Sequence, residues 1–115
     1  MKLYGIPNCN TVKKARAWLA EHRVNADFHD FKKEGVDPAL LSSWVEQLPW
    51  ERLVNRSGMT WRNLDEQVKA SVQDNASAVK LMMEKPSVIK RPVLVDNGKI
   101  LSLGFDEATY HNLLK

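Results

Sequence analysis

The chain has 115 residues, 43% of them apolar and 27% charged, a size and composition that suit one folded globular domain and argue against a disordered chain. No apolar run approaches the ~20 residues that span a bilayer, and the opening Met1-Lys2-Leu3-Tyr4-Gly5-Ile6-Pro7 is broken too soon by Gly5 and Pro7 to act as a signal peptide. The formal charge of +3 is spread along the sequence, a poor match to the clustered basic face that nucleic acid requires. Cys9 is the single cysteine, so no intramolecular disulfide framework exists, and the expected address is the cytoplasm.

Residues 2–6 read as a short strand stopped by Pro7. From Cys9 the pattern becomes helical: Val12, Ala15, Trp18 and Leu19 form one apolar stripe, with Lys13, Lys14, Arg16 and Glu21 on the remaining surface. Residues 26–31 alternate with period two and predict a half-buried strand. Strand–helix–strand predicts a parallel pair joined by a crossover.

The middle is helical. Asp37 is a good N-cap, Pro38 suits the first helical position, and Leu41, Trp44, Val45 and Leu48 form the buried stripe before Pro49. Asn55-Arg56-Ser57-Gly58 reads as a loop. A second helix is predicted from Thr60, with Trp61, Leu64, Val68 and Val72 inward. A third follows Asp74, with Ala78, Val79, Met82 and Met83 inward, and stops at Pro86. Val93-Leu94-Val95 is a short apolar strand, Asn97-Gly98 a hairpin turn, and Ile100-Leu101-Ser102-Leu103 the returning strand. Asp106 caps the last helix, where Phe105 can staple onto Tyr110 and Leu113 and Leu114 continue the stripe. The order predicts an α/β domain: a mixed four-stranded sheet built from residues 1–35 and 86–115, with a helical subdomain, 36–85, inserted between its halves.

A lone cysteine is commonly a small buried hydrophobe. Cys9 falls instead between a strand that Pro7 has ended and a helix that Val12 has begun. Unpaired N–H groups and the positive end of the helix dipole favour its thiolate there, which makes it a candidate nucleophile. Asn10 and Thr11 can add hydrogen bonds to the sulfur or to a bound anion. The position that would complete a Cys-x-x-Cys holds Val12, so a disulfide of Cys9 must be intermolecular, with glutathione or a second protein.

Pro92 either marks the start of an edge strand or forms a cis peptide with Arg91 beside the site. In the second case Arg91 offers a fixed guanidinium to Cys9 or to an oxyanion. Arg56, in the loop before Gly58, is either solvated or in contact with ligand. Lys13, Lys14 and Arg16 suit a solvated helix face, with Lys13 near enough in sequence to raise the potential at Cys9. The tryptophans, Met82 and Met83 read as core. His22, His29 and His111 have no metal-ligand spacing, and no metal is expected.

Tyr4-Gly5-Ile6-Pro7-Asn8-Cys9-Asn10-Thr11-Val12-Lys13-Lys14-Ala15, Trp61-Arg62-Asn63-Leu64, Ile89-Lys90-Arg91-Pro92-Val93-Leu94-Val95 and Leu103-Gly104-Phe105 together resemble the arsenate reductase (ArsC)/Spx family, and within it the YffB-type branch. The resemblance implies a thioredoxin-like fold with a helical insert, a cis Pro92, Cys9 as nucleophile and Arg91 as an anion-binding residue. Arsenate reductases of the family carry two further oxyanion arginines. Arg56 lies one residue from the matching place, which holds Asn55, and Lys99–Leu103 holds no arginine. Gly5 stands where those enzymes have a histidine. These departures point away from arsenate. The YffB-type resemblance implies a glutathione-dependent thiol/disulfide oxidoreductase, with glutathione as co-substrate and no bound cofactor. Its partner would be glutathione or a glutaredoxin-like reductant, and the protein would be a monomer. The alternatives are an arsenate reductase and an Spx-like adaptor that binds RNA polymerase, although the Spx Cys-x-x-Cys switch is absent.

Overall fold

The computed structural model describes residues 1–114. The chain divides into two compact units, one from Met1–Glu34 together with the chain from Arg91 on, the other Gly35–Lys90. Among the described residues no helix is long and apolar enough to cross a membrane.

The first unit is built on a four-stranded sheet. Its strands are β1 (Lys2–Gly5), β2 (Asp27–Asp30), β3 (Val93–Asp96) and β4 (Lys99–Leu103), in the order β2-β1-β3-β4. β1 is parallel to β2 and antiparallel to β3, and β3 is antiparallel to β4. The sheet is therefore mixed. Asn97 and Gly98, both at positive φ (52° and 79°), form the tight turn between β3 and β4. Val93, Leu94 and Val95 are all buried, so this inner strand reads as an unbroken apolar run.

Leu3 and Leu94 face each other across β1 and β3 and share a core with Ala15, Trp18, Leu19 and Tyr110. Helix α1 (Asn10–Glu21) supplies Ala15, Trp18 and Leu19, and buries the expected stripe of Val12, Ala15, Trp18 and Leu19. The Trp18 ring meets Tyr110 edge-on at 5.5 Å and lies parallel to the His22 ring at 3.8 Å. The Asp106 carboxylate accepts from the Thr109 N–H and hydroxyl ahead of the C-terminal helix Glu107–Leu114, which supplies Tyr110. Phe105 packs edge-on against Tyr110 at 4.9 Å, as a staple would, whereas Leu113 is exposed.

The second strand is shorter than its alternation predicts. Phe31 begins a helical turn, α2 (Phe31–Glu34), instead of ending β2. Asp30 causes the change: its carboxylate accepts from the Lys32 and Lys33 N–H groups, while its own N–H donates to Glu34.

The second unit contains α3 (Pro38–Gln47), α4 (Trp50–Leu53), α5 (Met59–Arg62), α6 (Glu66–Ser71) and α7 (Asn75–Glu84), followed by one 3₁₀ turn at Pro86–Val88. Asp37 caps α3 by accepting from the Ala39 N–H at 2.9 Å, with Pro38 in the first turn. Asp74 and Ser77 form a reciprocal capping box at the start of α7. α3 packs on α7, with Leu41, Trp44 and Val45 on one helix and Ala78, Leu81 and Met82 on the other buried.

Two sequence expectations fail in this unit. The single helix predicted from Thr60 is broken at Asn63-Leu64-Asp65 into α5 and α6, with Gly58 as the cap of α5, and neither piece contains a fully buried residue. Met83 is exposed and Leu81 takes its place inside, because the buried stripe of α7 is only one helical face wide. The unit also runs past Pro86. Val54 and Ile89 form an antiparallel bridge, flanked by the Asn55 N–H to the Val88 carbonyl and the Lys90 N–H to the Leu53 carbonyl, each at 2.7 Å.

Candidate active site

After β1 the chain passes through buried Ile6 and an exposed turn at Pro7-Asn8, which the Cys9 N–H closes on the Ile6 carbonyl at 3.3 Å. Cys9 then takes an extended conformation (φ −99°, ψ 126°) as the N-cap of α1, and its carbonyl accepts the first helical bond from the Lys13 N–H at 2.9 Å. The thiol is free and half-buried. It makes no conventional capping hydrogen bond. Its own electrostatic environment is nevertheless specific. Burial pushes the thiol up. The backbone N–H groups of Val12 and Thr11, followed by the charge and a hydrogen bond of Arg91, more than offset that, and the net displacement is downward. The result is a partly exposed sulfur biased toward thiolate.

Arg91 reaches this point from the other end of the unit. The Arg91–Pro92 peptide is cis, Pro92 is buried, and its carbonyl accepts from the Gly104 N–H at 2.9 Å. Arg91 itself is half-buried. Of the residues singled out in the sequence, the structure thus gathers Cys9, Thr11, Arg91 and Pro92. Asn10 and Lys13 sit exposed on the first turn of α1, with the Lys13 N–H bonded to the Cys9 carbonyl. Arg56 belongs to the other unit, where its guanidinium lies 5.7 Å from the Trp50 ring centroid. Among the described residues no group of three His, Cys, Asp or Glu side chains is placed to hold a metal ion.

Val12 was not legible as a site residue, and Gly5 was singled out only as standing where arsenate reductases have a histidine. Val12 reads as one member of an apolar stripe, yet its N–H is the largest of the influences that lower the Cys9 pKa. Gly5 is a glycine inside a buried strand, a pattern that signals close backbone approach. A Cβ at Gly5 would lie 2.8 Å from Val12 Cγ2. That spacing leaves no room for a side chain at position 5 while Val12 keeps its place.

Comparison with known proteins agrees with the fold. A YffB protein of known structure is 46% identical, superposes with a TM-score of 0.92 and covers 99% of this chain and 98% of its own. An arsenate reductase (ArsC) related protein from Brucella melitensis is 48% identical, with a TM-score of 0.78 and coverage of 99% and 93%. The global transcriptional regulator Spx of Streptococcus pyogenes is 28% identical over 91% of this chain and 78% of its own length. The ArsC family model matches residues 4–113. With its thioredoxin-like mixed sheet and a cysteine capping the first helix, the chain belongs to the ArsC family.

Proposed function

We propose that the protein is a glutathione-dependent thiol/disulfide oxidoreductase that works with one cysteine. The observation that carries this reading is the place of Cys9 as the N-cap of α1, a partly exposed sulfur on which two backbone N–H groups and Arg91 act to lower its pKa. A thiolate is the attacking species in disulfide exchange, and a thiol with its pKa moved toward ambient pH is both populated and nucleophilic.

The Cys9 thiolate attacks the glutathione sulfur of a mixed disulfide. The S–S bond breaks, Cys9 becomes disulfide-bonded to glutathione, and the substrate leaves as a thiolate that takes a proton from water. A second glutathione, as thiolate, then attacks that new disulfide. This releases glutathione disulfide and returns Cys9 as thiolate. Overall one glutathione thiol is consumed: its sulfur is oxidised into glutathione disulfide together with the glutathione already carried by the substrate, the substrate sulfur is reduced to the thiol, and no second cysteine of the chain is required. Arg91 and the N–H groups of Thr11 and Val12 stabilise the sulfur when it carries charge and complement the anionic glutathione. Asn10 and Lys13 are exposed on the same turn, and in this reading they add hydrogen bonds and positive charge for the anionic glutathione. The reading places the protein in the cytoplasm as a monomer, with glutathione or a glutaredoxin-like protein as its reductant.

The test is turnover of a glutathionylated peptide by the reduced protein with glutathione. Expected are release of peptide thiol, a Cys9–glutathione adduct by mass spectrometry, and loss of both in Cys9→Ser. A wild-type protein that forms no adduct and shows no turnover rejects the reading. Arsenate in place of the peptide is the second arm, and turnover there alone favours an arsenate reductase. Full activity of Cys9→Ser in cells favours a regulator, the description carried by the Spx relative.

A further inference from the structure

Gly5 and Val12 meet where β1 runs beneath the first turn of α1. Leu3 and Gly5 point to the same face of the sheet, the face that α1 covers, because side chains alternate along a strand. Gly5 is buried and Val12 is completely so. A Cβ built on Gly5 lies 2.8 Å from Val12 Cγ2 and 3.4 Å from Val12 Cγ1, whereas its next neighbour, Phe28 Cε1, is at an ordinary 3.7 Å. The collision is therefore with the two methyl groups of one residue.

We propose that Gly5 is a positioning residue for Cys9: its missing side chain lets Val12 seat against β1, and this seating holds the first turn of α1 at the place where its N–H groups meet the sulfur. Valine in a helix has one strongly preferred χ1 rotamer, so Val12 cannot turn its methyl groups away cheaply. Relief of a Cβ at position 5 then falls on the backbones that carry the two residues, β1 and the first turn of α1. The Val12 and Thr11 N–H groups that act on Cys9 belong to that turn. Core packing transmits such a displacement because interiors lack free volume to absorb it.

The proposal rests on Cys9 as the reactive group of the function proposed above, and its test avoids glutathione so that the two can fail separately. The rate of iodoacetamide alkylation of Cys9 is measured against pH in the full chain for wild type, Gly5→Ala, Val12→Ala and the double variant. In Gly5→Ala the midpoint of the profile moves up toward that of free cysteine. The rate near neutral pH falls by up to about tenfold, the change in thiolate population for one unit of displacement. In the double variant, where the colliding methyl groups are gone, the midpoint returns to that of Val12→Ala. If Gly5→Ala does not fold, the double variant decides, and its folding with the midpoint of Val12→Ala supports the proposal. Three results overturn it. One is a folded Gly5→Ala with an unmoved midpoint. Another is a displaced midpoint that Val12→Ala does not restore. The third is a double variant that also fails to fold.

Discussion

The Arg91 guanidinium, in the segment that precedes β3, helps to hold the thiol of Cys9, the cap of α1, below its ordinary pKa. Its charge and its hydrogen bond both favour the thiolate, alongside the Val12 and Thr11 N–H groups and against burial. Two ends of the sequence thus act on one atom.

Replacing Arg91 by Ala removes both contributions, so the thiolate midpoint rises toward the free-cysteine value. Arg91→Lys restores part of the displacement, since lysine returns the charge without the planar fork. Ultraviolet absorbance titration of the thiolate reads both changes. An unmoved midpoint in Arg91→Ala leaves the N–H groups of α1 as the whole source of activation.

The helical unit offers a test of packing at two adjacent methionines. Met82 is fully buried and Met83 is 42% exposed. Met82→Ala is expected to lower stability by about 2–5 kcal/mol. Met83→Ala should stay within about 0.5 kcal/mol of wild type. Urea unfolding midpoints at unchanged slope measure both, and equal losses at the two positions contradict the packing of α7 on α3.

Tyr110 presents the opposite case. Its ring is enclosed by Trp18 and Phe105, but its buried hydroxyl has no hydrogen-bond partner among the described residues. Burial also pushes the phenol pKa well up. An unmet buried hydroxyl is destabilising, so Tyr110→Phe is expected to raise stability by about 1 kcal/mol. Thermal unfolding reads this, and a clear loss of stability shows that the hydroxyl is bonded after all.

The mixed four-stranded sheet was legible because it depends on local signals: Pro7 follows β1, Asn97-Gly98 turns β3 into β4, and Val12, Ala15, Trp18 and Leu19 repeat at helical spacing. The break between α5 and α6 was not, since Trp61, Leu64, Val68 and Val72 repeat as a helix does while the chain turns at Asn63-Leu64-Asp65. Apolar spacing reports which residues can share a face, and it is silent on whether the backbone stays continuous between them. The α2 turn escaped for a related reason, because Asp30 serves both as the last strand residue and as a cap. At the site, Cys9 was visible from its place between strand and helix. A glycine in a buried strand signals a close approach at Gly5, but that Val12 is what approaches depends on a contact between two elements, which no local pattern encodes.

The bias of Cys9 toward thiolate also couples to folding. A thiol whose pKa is lowered in the folded state stabilises that state fully above the unfolded pKa, and the contribution is lost as pH falls through the folded pKa. The stability of wild type relative to Cys9→Ser should therefore grow as pH rises from the folded midpoint to the ~8.5 of an unfolded cysteine, and level off above it. Denaturant unfolding of both proteins across that range gives the difference, and a difference that shrinks with rising pH contradicts the sign.

The most direct measurement is the absorbance titration of Cys9 in the reduced wild-type protein, where the sole cysteine makes the signal unambiguous. The expected result is a midpoint below the ~8.5 of free cysteine, with a thiolate population already present near neutral pH. A midpoint at or above the free-cysteine value contradicts Cys9 as an activated nucleophile.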